Sequence, residues 1–77
     1  MSAFEFDPDA LRRIRLERGL SQRQIADALG YHFTAASMYE RGHRVPSVGD
    51  VATLAHVLGV PMERLIRATA ARELVSA

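Results

Sequence analysis

The sequence predicts an all-α domain of five short helices, the second and third joined too tightly to lie antiparallel. Three observations lead there. Helix-start residues recur just ahead of apolar stripes with helical spacing, glycines fall where those stripes stop, and no stretch reads convincingly as a strand. With 77 residues, 48% of them hydrophobic and 25% charged, the chain suits one compact domain spanning 1–77 and not a disordered tract.

The first helix is announced by Asp7-Pro8-Asp9, which supplies a cap, a proline at the first helical position and an acid in the first turn. It is expected to run to about Arg18, with Leu11 and Ile14 inward and Gly19 as its stop. Residues 1–7 ahead of it form a short acidic arm. Ser21-Gln22-Arg23-Gln24 has the pattern of a capping box and starts the second helix, with Ile25, Ala28 and Leu29 inward and Gly30 as its end. A link around Gly30, Tyr31 and His32 leads to a third helix over 33–41, stopped by Gly42. Two short helices linked so closely must cross steeply, as in a helix-turn-helix.

The loop His43-Arg44-Val45-Pro46 follows, because a proline biases the residue before it away from helix. Ser47 caps a fourth helix whose Val51, Leu54, Ala55 and Leu58 form a core stripe before Gly59. Pro61 restarts the chain as a fifth helix with Leu65 and Ile66 inward, and residues 68–77 are its end or a tail.

Charge is unevenly placed although the net is only +1. Residues 1–9 hold Glu5, Asp7 and Asp9 and no base. Residues 10–44 hold seven arginines against three carboxylates, leaving +4, so a polyanion would meet the middle of the chain. Every basic residue is Arg, a planar fork suited to phosphates and guanine edges, although arginine and alanine enrichment also follows from GC-rich coding. There is no cysteine, hence no disulfide or thiolate zinc site, and a domain this small is expected to gain stability by association as a homodimer. No apolar run is long enough for a membrane span and the acidic start is unlike a signal peptide, so a cytoplasmic protein is expected.

The joint pattern resembles a known family, the lambda-repressor-like helix-turn-helix domains of the Cro/repressor and xenobiotic-response-element type. The resemblance covers about residues 10–66. It is carried by Leu11-Arg12-Arg13-Ile14-Arg15, Gly19-Leu20-Ser21-Gln22, Ile25-Ala26, Leu29-Gly30, Tyr39-Glu40-Arg41-Gly42, Pro46-Ser47, Leu54-Ala55 and Leu58-Gly59-Val60, with no insertion between Gly30 and Tyr39. It implies a compact five-helix DNA-binding domain whose third helix lies in the major groove. Base-facing positions then fall on His32, Phe33, Thr34, Ser37 and Met38. Phosphate-facing positions fall on Gln22, Arg23, Arg41, His43 and Arg44, with Gln22 as the anchor at the amino end of the second helix. In relatives, the positions of Arg15 and Glu40 form a partly buried ion pair between the first and third helices.

The chain departs from that pattern where bases are read. His32 is a poorer cap than the usual Ser or Thr, which makes Thr34 the alternative cap and starts the helix up to two residues late. Phe33, Ala35 and Met38 stand where polar side chains usually contact bases. Ala36 replaces a larger aliphatic core residue, with Tyr31 as candidate to fill the space. Phe33 and Met38 carry two readings: packing on thymine methyls or beside a flexible base step, or turning inward to complete the core.

The resemblance and the small size imply a sequence-specific regulator of double-stranded DNA, a repressor that binds a near-palindromic operator as a homodimer. The expected dimer patch is Val60, Leu65, Ile66, Leu74 and Val75. The alternative is a protein-interaction module, antitoxin-like or an anti-regulator, that grips a protein partner through Phe33, Met38 and Tyr31. No cofactor or small-molecule ligand is indicated. His32, His43 and His56 lack metal-ligand spacing, and no nucleophile elbow or paired-carboxylate arrangement suggests an enzyme.

Overall fold

The computed structural model describes residues 4–69. In chain order these form β1 (Phe4–Phe6), α1 (Pro8–Glu17), α2 (Gln22–Leu29), α3 (Thr34–Glu40), α4 (Val48–Leu58), a 3-10 turn (Met62–Leu65) and β2 (Ile66–Ala68). The first four helices fall where the punctuation placed them. Asp7 accepts from the Ala10 amide at 3.2 Å, and both halves of the capping box form between Ser21 and Gln24. Gly30 adopts φ 76°, which lets Tyr31 donate to the Ala26 carbonyl at 3.0 Å and turns the chain sharply out of α2.

The expected fifth helix is replaced. Pro61 does restart the chain, but only for one 3-10 turn, after which Ile66 is extended (φ −126°, ψ 159°) and enters β2. The expected acidic arm is likewise strand over Phe4–Phe6, and the two pair antiparallel with Phe4 opposite Ala68, Glu5 opposite Arg67 and Phe6 opposite Ile66. An all-α reading is therefore corrected to a mostly helical domain closed by a small ribbon. Backbone pairing and burial of Phe6 outweigh local helix preference here. Phe6 enters the core edge-on to Tyr39, with ring centroids 6.3 Å apart, while Arg67 reaches Glu5 at 3.5 Å and Asp7 at 3.7 Å. The expectations for residues 70–77, including Leu74 and Val75, lie outside the described residues.

Leu11, Ile14, Ile25, Ala36, Tyr39, Val51, Leu54, Leu58 and Leu65 build the core, so every helix contributes an inward face. Three details differ from the sequence reading. Ala28 is exposed and Ala26 is buried in its place, because Ile25, Ala26 and Leu29 are the residues in phase on α2. Ala35 is buried with Ala36, Tyr39 and Glu40 on the inner face of α3 and is not presented outward. Tyr31 does not fill space beside Ala36; it stays at the surface, with its hydroxyl engaged by Asp50.

Candidate nucleic-acid interface

The turn between α2 and α3 sets the site. After Gly30, His32 offers its carbonyl to the Ala35 amide at 2.9 Å, and Phe33 already has helical angles. His32 Nδ1 accepts from the Thr34 amide at 3.3 Å and lies 3.0 Å from Thr34 Oγ1. The imidazole therefore covers an orphan amide at the start of α3, and Thr34 is not the alternative cap.

Phe33 points away from the core, 50% exposed. Its ring centroid is 4.4 Å from that of His32, and the Arg23 guanidinium carbon sits 5.0 Å above it. The structure thus brings His32, Phe33 and Arg23 together across the α2–α3 turn, with Thr34 exposed beside them. Ser37 and Met38 are half-buried on α3, and Met38 is not part of the core cluster. The inward reading therefore fails for Phe33.

Beneath this surface lies a polar brace. Arg15 of α1 pairs with Glu40 of α3 through Nε to Oε2 (2.5 Å) and Nη2 to Oε1 (3.1 Å), and its Nη1 donates to the Leu20 carbonyl at 2.9 Å. Both residues are buried. Gln22 Nε2 donates to the same Glu40 carboxylate at 3.1 Å, so its side chain is first of all a member of this brace. What remains for an anion at that end of α2 is its second amide hydrogen and the backbone amides of Gln22 and Arg23, since Ser21 already takes those of Gln24 and Ile25.

On the other flank, Arg41, His43 and Arg44 are all exposed in and after the last turn of α3. Arg41 Nε contacts the Ser37 carbonyl at 3.4 Å, and the Arg44 guanidinium carbon lies 5.7 Å from the Tyr31 ring centroid. Tyr31 donates to Asp50 Oδ2 at 2.7 Å, and Tyr39 donates to the same oxygen at 3.3 Å. The bond to Asp50 holds the Tyr31 hydroxyl above the ordinary tyrosine range. Burial, then the Asp50 charge, does the same for Tyr39. Sequence reasoning missed this junction because Tyr31 and Asp50 lie nineteen positions apart and share no local pattern.

The expected dimer patch is dispersed. Leu65 is fully buried in the core of its own chain, Val60 packs partly against that core, and Ile66 is half-buried in β2. Ile66 instead joins Phe4, Val45, Val48 and Met62 around a shallow apolar groove of about 360 Å³, a surface the sequence reading did not single out. No helix among the described residues is long and apolar enough to cross a membrane.

A steeply turned helix pair on a core of flanking helices defines a helix-turn-helix protein. Residues 11–65 match the helix-turn-helix family, and the chain belongs to it. Over 56 residues it is 34% identical to the cryptic phage CTXphi transcriptional repressor RstR of Vibrio cholerae, a match covering 73% of this chain and 50% of that protein. The chain thus spans about half the length of that relative. It is 37% identical over 57 residues to y4dJ of Sinorhizobium fredii, an uncharacterized HTH-type transcriptional regulator, with 74% of each chain covered. Among solved structures, the restriction-modification controller protein C.AhdI from Aeromonas hydrophila superposes with a TM-score of 0.69 at 30% identity, covering 74% of this chain and 86% of that one.

Proposed function

We propose that this chain is a transcriptional regulator that binds double-stranded DNA sequence-specifically, with α3 in the major groove, and represses by occupying an operator in the cytoplasm. The observation that carries this reading is the arrangement around α3. Phe33 stands outward at its start with Arg23 over its ring, and Arg41 and Arg44 are exposed beyond the other end of the helix, which supports phosphate-facing roles for the three arginines. His32, Thr34, Ser37 and Met38 complete the base-facing set, and Gln22 and His43 the phosphate-facing set.

Few of those base-facing groups are strong hydrogen-bond readers, so discrimination rests on apolar contact with thymine methyls and on the shape of the duplex. Affinity then depends on phosphate contacts and on two copies reading a near-palindromic site one helical turn apart. The exposed apolar residues Phe4, Val45 and Val48 beside Ile66 give a second copy a surface to cover.

Selection of bound fragments from a random duplex pool, followed by titration at several salt concentrations, tests the reading. A twofold-symmetric site with a steep salt slope is the expected result. The half-exposed Phe33 ring also favours a second reading, capture of a protein partner by α3. No enriched sequence, together with weak binding at every salt concentration, would favour that reading over DNA binding and make the search for a partner the next step.

A further inference from the structure

We propose that Tyr31 is a positioning residue for Arg44: with its hydroxyl anchored on Asp50, its ring is the platform that holds the Arg44 guanidinium ready for a backbone phosphate. The proposal rests on the DNA-binding reading above. Its basis is a junction of three elements on one oxygen. Asp50, in the first turn of α4, accepts from Tyr31 in the α2–α3 turn at 2.7 Å and from Tyr39 on α3 at 3.3 Å. The Asp50 backbone is itself fixed, its amide donating to Ser47 Oγ at 3.1 Å. A ring on the surface is thereby tied at its far end to the buried framework through Tyr39, which is 1% exposed.

Arg44 is an exposed residue of the irregular loop after α3 and forms no ion pair among the described residues. A long, solvated side chain loses rotamer freedom when it orders on a ligand, and a surface that orders it beforehand lowers that cost. The Tyr31 ring, 5.7 Å from the guanidinium carbon, is such a surface. Stacking engages the face of the guanidinium and leaves its N–H edges to donate. Arg41, whose Nε already turns back to the Ser37 carbonyl, is oriented differently and lacks this support. Tyr31 therefore links the way the chain enters α3 to a cation beyond its far end.

The test uses the full chain, a mixed-sequence DNA duplex and the variants Tyr31→Leu, Tyr31→Phe and Arg44→Ala. In the free protein, the Arg44 δ-proton resonances should lie upfield, as expected beside a ring face, and should return to ordinary positions in Tyr31→Leu. Tyr31→Leu should weaken duplex binding about two- to fivefold, as for loss of an exposed cation–π contact. Arg44→Ala should reduce the logarithmic salt slope by about 0.9, one phosphate. Adding Tyr31→Leu to Arg44→Ala should weaken binding no further, and Tyr31→Phe, which keeps the ring and loses the anchor, should fall between wild type and Tyr31→Leu. Equal losses from Tyr31→Leu in both backgrounds, or an unshifted Arg44 signal in the wild type, would overturn the proposal while DNA binding stood. Salt-insensitive binding by the wild-type chain would instead overturn the DNA-binding reading, and this proposal with it.

Discussion

Under the proposed DNA-binding reading, Phe33 and Arg44 are expected to contribute in different ways at this surface. Phe33 is half-exposed and outside the core, so Phe33→Ala is expected to change stability by less than about 1 kcal/mol while changing which sequences are preferred. Arg44→Ala should weaken binding to all sequences alike, because a phosphate contact carries no sequence information. Binding of both variants to a panel of duplexes checks this, and parallel losses for both would contradict the roles assigned. The two tyrosines on Asp50 make a separate prediction. Their folded-state values lie above the ordinary tyrosine value of about 10, so the folded state holds these protons more tightly than the unfolded one. The resulting stabilisation is fully present below pH about 10 and is lost as pH rises through the raised folded values. Denaturant unfolding at increasing alkaline pH should show that decline, and Tyr31→Phe with Tyr39→Phe should flatten it.

Among the elements, what was legible in the sequence is what local chemistry decides. Asp7-Pro8 fixes where α1 begins, Ser21 with Gln24 and Gly30 bound α2, and Ser47 and Gly59 bound α4, and those helices stand where these residues placed them. The ribbon was not legible, because Phe4–Phe6 and Ile66–Ala68 are three residues each and become strands only against one another. The same holds within the candidate site. The positions flanking α3 and the Arg15–Glu40 pair could be assigned by resemblance, but the bond from Gln22 to Glu40 and the two tyrosines on Asp50 join residues from separate elements without a local pattern. The Arg15–Glu40 brace sets how α3 sits on α1, and removing one partner leaves the other charge buried. Arg15→Ala is expected to cost about 3–5 kcal/mol, whereas an apolar pair of similar volume at both positions should recover much of that. Thermal unfolding of the single and double variants measures the difference. A loss well below 1 kcal/mol for Arg15→Ala would mean that the pair does not hold the helices together.

At the scale of the whole molecule, a 77-residue chain without cysteine buries a modest core and leaves Phe4, Val45 and Val48 uncovered. If a second copy covers that surface, folding and association are linked, and the melting temperature should rise with protein concentration. Thermal scans over a wide concentration range check this, and a constant melting temperature would argue for a stable monomer. The ribbon also has a bearing on the order in which the molecule assembles. Phe4 is made before the helices, yet its partner Ala68 emerges only after α1 to α4 have been made. Closing so long a loop is entropically costly, whereas the contact between α2 and α3 spans only a tight turn. On the ribosome the α2–α3 unit is therefore expected to take shape first, and the two strands to fasten last.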